Sequence, residues 1–172
     1  MASATLEKDP AALLNRDDRS GKYLVFELGS EQFGIRVLQV REIMGVRDIT
    51  ALPQAPAHVK GVINLRGKVI PVVDLRLKFG LPEREYTERT CIIVVQVIRR
   101  NRPVSTGIVV DGVAEVLTLA ATDIEDTPDF GSGAATPYLL GMANVKGKVK
   151  ILLDINEVLT GQELHGLEAV IQ

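Results

Sequence analysis

Short runs of aliphatic residues alternate along this chain with polar turns. Residues 23–28 form the first run, Gly29-Ser30-Glu31-Gln32 follows as a turn, and residues 33–37 form the second run. Two such runs around a turn predict a β-hairpin. The runs are rich in Val, Ile and Leu, and the chain has no Trp and only 4% aromatic residues. Because β-branched side chains pack well on pleated surfaces, the pattern predicts an all-β protein with an aliphatic core.

The same arrangement of run, turn and run recurs further along. Turns at 66–67, 99–103 and 146–147 each separate two aliphatic runs, and residues 40–44 are a further candidate strand. Stretches rich in Pro, Gly or polar residues separate these units and are expected to be loops, at 50–58, 80–89 and 118–137.

An internal repeat is the most informative feature of the sequence. A shift of 80 positions aligns residues 61–75 with 141–155, and a shift of 73 positions aligns residues 34–43 with 107–116. The identical pairs in the two alignments include Gly61/Gly141, Asn64/Asn144, Gly67/Gly147, Lys68/Lys148, Val69/Val149, Asp74/Asp154, Gly34/Gly107, Val40/Val113 and Glu42/Glu115. The chain therefore contains two copies of one small β unit.

Each copy has about five short strands, a size that suits a small closed barrel without exposed edges. We therefore expect a first barrel over residues 21–86 and a second over 87–158, with exchange of strands between them left open. Residues 1–20 are polar and predict a flexible arm. Apolar residues in 156–172 recur every three to four positions. This spacing predicts a C-terminal amphipathic helix, which we assign to residues 159–172.

Composition narrows the function classes. The 172 residues carry a formal net charge of −2, with acids and bases interspersed, so neither nucleic acid nor a membrane surface is an expected partner. No apolar run approaches the ~20 residues that span a bilayer. Cys91 is the single cysteine, which excludes an intramolecular disulfide, and we expect it to be a small buried residue. A reducing cytoplasm fits these features.

Candidate catalytic chemistry is scarce. His58 and His165 are the only histidines, and with one cysteine they give no nucleophile motif and no metal-ligand spacing. The stretch 61–68 resembles a phosphate-binding loop, but it has one residue too many between its glycines and Val69 where Ser or Thr would bind Mg²⁺. We therefore predict no catalytic residues, no metal and no cofactor.

Two weaker interpretations stay open. Asp74 and Asp154 occupy equivalent repeat positions and could converge as an acid–base pair in a hydrolase, although a capping role at the end of a strand is favoured. The basic stretch 99–102 could bind nucleic acid in the manner of a barrel with basic loops, as could the Lys68/Lys148 pair, although no aromatic residue lies near the stretch to stack on bases.

Several segments together resemble the CheW family of bacterial chemotaxis coupling proteins. The most specific are Asn64-Leu65-Arg66-Gly67 and the Val-Asp-Gly-Val stretch at 110–113, and the resemblance runs from Tyr23 to Leu159. One departure is the tip at 99–103, which looks longer than is usual in this family. The other segments that carry the resemblance are Tyr23-Leu24-Val25-Phe26, Gly34-Ile35, Val40-Arg41-Glu42-Ile43, Lys60-Gly61-Val62-Ile63 and Val72-Val73-Asp74-Leu75-Arg76.

The resemblance implies a fold and a function. The fold would be two five-stranded, SH3-like β-barrels packed around a shared hydrophobic core, with a short C-terminal helix. The function would be that of a non-catalytic cytoplasmic adaptor, which joins the cytoplasmic tips of methyl-accepting chemoreceptors to the regulatory domain of the CheA histidine kinase. No nucleic acid and no direct membrane insertion would be involved.

The resemblance also implies the site residues. The receptor would bind in a groove between the barrels, where an apolar surface with a few fixed polar groups suits a helix. Asp129 and Phe130 are candidates for the kinase contact, although Phe130 could instead plug a barrel end. The valines, Ile43 and Gly107 could alternatively serve the core or a bulge. The receptor-binding candidates are Val40, Glu42, Ile43, Arg66, Gly107, Val113 and Val116.

Overall fold

The computed structural model describes residues 19–127 and 138–159. These residues form short strands joined mostly by tight turns, with four-residue helices α1 (Leu75–Lys78) and α2 (Ile155–Val158) and 3₁₀ turns at Val37–Gln39 and Ala121–Asp123. The strands are β1 (Gly21–Leu28), β2 (Glu31–Arg36), β3 (Val40–Gly45), β4 (Val59–Leu65), β5 (Lys68–Asp74), β6 (Cys91–Arg99), β7 (Arg102–Val110), β8 (Gly112–Leu119), β9 (Ile124–Glu125), β10 (Leu139–Val145) and β11 (Lys148–Leu153).

The strands form two sheets of equivalent order. The first sheet runs β8-β1-β2-β11-β10-β9, and the second runs β3-β6-β7-β5-β4. Neighbouring strands are antiparallel except for two parallel pairs, β2 with β11 and β5 with β7. The two-residue β9 is the additional strand of the first sheet and lies in the stretch that the sequence predicts as a loop. The remaining five positions correspond one to one between the sheets.

The second sheet is built from the consecutive strands β3 to β7, whereas the first sheet is not a continuous segment of the chain. The first sheet takes β1 and β2 from the N-terminal half and β8 to β11 from the C-terminal half. The expected barrel boundary at residues 86–87 falls between β5 and β6, which belong to the same sheet, so the sheets do not follow that division. The reason is the parallel pairing, which joins the N-terminal hairpin to β11 and the β6–β7 hairpin to β5.

A hydrophobic core lies between the two sheets, and each sheet also encloses a smaller cluster. Strand β6 shows how alternate side chains serve both: Ile93 and Val95 join the shared core, whereas Ile92 and Val94 join the cluster of the second sheet. Because both faces of such a strand are covered, its sequence is a continuous apolar run. The expected all-β fold, with two SH3-like barrels around a shared core, is confirmed.

The repeat is visible in the backbone. Arg66 and Gly67 have φ of 51° and 85°, and the equivalent Lys146 and Gly147 have 54° and 81°. Such values match the two-residue turns that join twisted strands. Buried, half-buried and exposed residues also follow one another in the same order over 61–70 and 141–150. Both predicted hairpins are therefore formed, with the same turn geometry.

Candidate functional site

The side chains of Glu42 and Arg66 meet at one edge of the second sheet. Glu42 lies on the edge strand β3, and Arg66 lies in the turn between β4 and β5. Arg66 Nη2 donates to Glu42 Oε1 at 2.6 Å, with 70% of the arginine side chain and 30% of the glutamate side chain exposed. The turn itself is braced by Asn64 Oδ1, which accepts from the backbone N–H of Gly67 at 3.0 Å. The pair therefore presents an oriented, solvent-accessible guanidinium.

A pocket of about 420 Å³ opens beside this pair. Among the described residues, its lining mixes aliphatic side chains with several cations and a single carboxylate, that of Glu42. A planar guanidinium with free donor positions can bind a carboxylate or the carbonyls at a helix C-terminus. The lining residues are Arg41, Glu42, Leu65, Arg66, Lys68, Ile70, Val94 and Ser105.

The four aliphatic candidates divide into two kinds. Ile43 on β3 and Val116 on β8 are 44% and 54% exposed, each on an edge strand of its sheet. Val40 and Val113 are partly buried and pack against the shared core between the sheets. The edges of both sheets thus border the same core, and each offers one exposed aliphatic side chain.

Gly107 is not at the surface. It lies in β7, paired with Val72 of β5 and with Val94 of β6, and it is buried. A Cβ atom at this position would lie 2.9 Å from Cγ2 of Ile92. Its role in the described structure is therefore close packing inside the second barrel, because any side chain would displace Ile92.

The two candidates for the kinase contact, Asp129 and Phe130, lie outside the described residues. Leu38, which was not among the predicted site residues, is 84% exposed in the 3₁₀ turn between β2 and β3. Its neighbour Val37 packs against the shared core. The only indication of an exposed leucine in the sequence was its position between the apolar Val37 and the polar Gln39.

Asp111, the aspartate of the Val-Asp-Gly-Val stretch, has a structural role. Asp111 Oδ2 accepts from Arg76 Nη1 at 2.8 Å and from the backbone N–H of Gly29 at 2.7 Å. Both charged side chains are largely buried, at 9% and 14% exposure. Breaking such a pair would leave a buried charge uncompensated, so this aspartate ties α1 and the β1–β2 turn to the β7–β8 turn.

The two aspartates considered as an acid–base pair are engaged in local structure. Asp74 Oδ1 accepts from the N–H of Arg76 and its Oδ2 from the hydroxyl of Tyr86, whereas Asp154 accepts from the N–H groups of Asn156 and Glu157. Burial, and next the negative charge of Asp74, raise the pKa of Tyr86 well above its ordinary value. These contacts agree with the capping role.

No group of three or more metal-ligating side chains converges among the described residues. Within the same residues, no helix is long and apolar enough to cross a membrane. Residues 61–68 form a hairpin rather than the strand-to-helix junction of a phosphate-binding loop.

Two small barrels around one core, with exposed aliphatic and paired charged side chains at the sheet edges, are typical of a module that binds other proteins. A CheW-like domain is recognised over residues 22–163, and the chain belongs to this family. The family consists of chemotaxis scaffolds and adaptors rather than catalysts.

Individual relatives agree. The chain is 41% identical over 143 residues to the chemotaxis protein CheW of Klebsiella aerogenes, covering 83% of this chain and 84% of that protein. It is 38% identical over 140 residues to CheW of Rhizobium meliloti, covering 81% and 88%. The crystal structure of the scaffolding protein TtCheW from Thermoanaerobacter tengcongensis is similar with a TM-score of 0.72 and 30% identity, covering 84% of this chain and 95% of that one.

Proposed function

We propose that this protein is a non-catalytic cytoplasmic adaptor that joins chemoreceptor tips to the regulatory domain of a CheA histidine kinase. The observation that carries the proposal is the exposed Glu42–Arg66 pair beside the pocket at the edge of the second sheet. Family membership supports the coupling role, and the site supports a contact with a helical partner.

The receptor contact that we propose combines charge and apolar area. Ile43 and Val116 offer aliphatic surface, and Arg66 offers a fixed fork for a carboxylate or for helix C-terminal carbonyls. Glu42 holds the guanidinium in place, so less side-chain entropy is lost on binding. Val40 and Val113 support this surface from beneath, and Gly107 contributes only through packing.

Charge reversal at the turn tests the receptor contact. We expect Arg66→Glu to weaken binding of a labelled receptor signalling tip by at least about tenfold, because it removes the donor fork and places a second acid beside Glu42. The matched control is Lys146→Glu, which makes the same change in charge at the equivalent turn of the other sheet. Fluorescence anisotropy titrations of the full chain measure both variants.

Swapping the two charges distinguishes a direct contact of Arg66 with the receptor from a role of the ion pair in holding the local backbone. The variant Glu42→Arg/Arg66→Glu restores an ion pair but exchanges its ends. If Arg66 meets a receptor acid, the swap stays weak; if the pair only holds the local backbone, the swap regains wild-type affinity and the direct contact is excluded.

The kinase regulatory domain is titrated separately with the same variants. The adaptor proposal requires wild-type protein to bind both the receptor tip and the kinase domain. Loss of receptor binding alone in Arg66→Glu supports the assigned surface. Failure of wild-type protein to bind either partner would refute the coupling function.

A further inference from the structure

A second, larger cleft lies between the β4–β5 turn and the tip of the β6–β7 hairpin. It has a volume of about 1010 Å³, and four cationic side chains line it, those of Lys68, Arg99, Arg100 and Arg102. No carboxylate is among its lining residues within the described part of the chain. This cationic cleft contrasts with the net charge of the whole chain, which is −2.

The hairpin that carries the arginines is longer than its counterpart. Beyond the pair Val94–Gly107, five further residue pairs continue β6 and β7 to Arg99–Arg102. Beyond the equivalent pair Val25–Gly34, only three pairs continue β1 and β2, and they end at Leu28–Glu31. The longer hairpin ends on the cations Arg99 and Arg102, whereas the shorter hairpin ends on an acid.

The tip geometry does not explain the choice of arginine. Arg100 and Asn101 have φ of 52° and 63°, values of the left-handed region. Such turns favour Asn or Gly, because other side chains are strained there. The turn itself therefore does not require arginine at position 100, and the contribution of Arg100 is its exposed positive charge.

The uncharged residues of the cleft indicate which class of anionic ligand it would bind. Val69 is 44% exposed in the cleft, and Pro103 and Val104 add aliphatic surface. No aromatic side chain of the described residues lines it, so stacked bases would find no platform. A concave wall also fits a chain segment better than a flat lipid surface. We infer that the cationic cleft binds an acidic segment of a partner protein, one in which carboxylates alternate with aliphatic residues.

The cleft adjoins the pocket of the Glu42–Arg66 pair, because Lys68, Ile70 and Ser105 line both. An acidic segment in the cleft would therefore lie next to the proposed receptor contact. The inference itself depends neither on receptor binding nor on kinase binding, and it is tested without either.

The test uses the full chain and a fluorescein-labelled peptide in which Glu alternates with Leu. The variant Arg100→Glu/Arg102→Glu reverses two exposed charges of the cleft and leaves Arg99 intact, since Arg99 Nη1 donates to the carbonyl of Leu159 at 2.7 Å. The matched control, Lys146→Glu/Lys148→Glu, makes the same charge change at the equivalent turn of the first sheet. Thermal unfolding checks that both variants are folded.

We expect the cleft variant to lose at least about tenfold in peptide affinity, the control to keep wild-type affinity, and wild-type binding to weaken as salt rises. Absence of peptide binding by the wild-type chain, or equal losses in both variants, would overturn the inference. So would tighter cleft-dependent binding of an oligo(dT) strand or of phosphatidylglycerol vesicles, which would assign the cleft to nucleic acid or to a membrane.

Discussion

The two halves of the chain build the same hairpin, but only one of them forms an ion pair there. Glu42 and Glu115 are equivalent in the repeat, and so are Arg66 and Lys146. Both acids follow an irregularity of strand pairing at the same place, between Val40 and Glu42 and between the equivalent Val113 and Glu115. Yet in the part of the chain that the structure describes, Arg66 pairs with Glu42, whereas no salt bridge joins Lys146 to Glu115.

This difference teaches that the repeat duplicates the scaffold and not the site. The turns and the strand irregularities are alike in both halves, so we expect the type of the cationic side chain to decide whether it meets the acid. A guanidinium has a planar fork that fits a carboxylate, whereas an ammonium is compact and strongly hydrated. A second difference lies in the interior: Ile70 packs in the cluster of the second sheet, whereas the equivalent Lys150 is buried at 4% exposure and donates to Gln32 Oε1.

The largest expected effect is a loss of stability on adding a methyl group at Gly61 or Gly141, the equivalent glycines of β4 and β10. Gly61 has φ of 141°, and a Cβ atom there would lie 2.0 Å from the carbonyl oxygen of Thr50. At Gly141 the nearest atom, the carbonyl oxygen of Glu125, would be 2.7 Å away. Gly61→Ala should therefore lower the free energy of unfolding by about 4 kcal/mol and Gly141→Ala by about 2 kcal/mol.

Urea denaturation measures both variants. Gly45→Ala is the control, because a Cβ atom there meets nothing within 4 Å, and it should change stability by less than about 0.5 kcal/mol. Equal losses for Gly61→Ala and Gly141→Ala would show that the two barrels tolerate the added methyl alike.

An intermediate effect is expected at the interior pair. Ile70→Lys should destabilise by about 3 kcal/mol, because the ammonium would either stay in the apolar cluster or emerge among the cations of the cleft. Lys150→Ile should change stability by less than about 1 kcal/mol, since it replaces a buried charge by apolar volume and leaves Gln32 partly exposed to water. Thermal unfolding of the two single variants and of the double variant measures this. A loss at Lys150→Ile as large as at Ile70→Lys would mean that the buried lysine is itself a stabilising contact.

The smallest effect tests the absent ion pair. Lys146→Arg should let the guanidinium reach Glu115 and should stabilise by about 0.5 kcal/mol, the usual size for an exposed pair. A double-mutant cycle with Glu115→Gln isolates the pair energy. A coupling energy of zero would show that replacing the ammonium by a guanidinium is not enough to form the ion pair in the first sheet.

The local features of the fold are predictable from the sequence because they depend on neighbouring residues. The hairpins around 66–67 and 146–147 follow from Gly and polar turns between β-branched runs. The composition of the sheets does not follow, because the parallel pairs join strands that are far apart in sequence. A contiguous division at residue 86 was the natural reading of a tandem repeat, and β1 and β2 cross that division.

The candidate site was predictable only in part. Glu42 and Arg66 were both receptor-binding candidates, and a hydrogen bond joins them in the structure. The burial of the receptor-binding candidate Gly107 was not predictable, because a glycine in an aliphatic strand has the same sequence signature whether it meets a partner or a neighbouring side chain. The burial of Lys150 could not be predicted from the sequence, because lysines are almost always exposed and its partner Gln32 lies 118 residues away.

The crossing of β1 and β2 into the first sheet sets an order for folding during synthesis. The second sheet is complete once Val110 has left the ribosome, whereas the first sheet needs β11, which ends at Leu153. Until then the N-terminal hairpin has an open edge and uncovered apolar side chains. The β1–β2 hairpin thus emerges long before the strands that cover it, which gives the first barrel high contact order and exposes the nascent chain to misassembly.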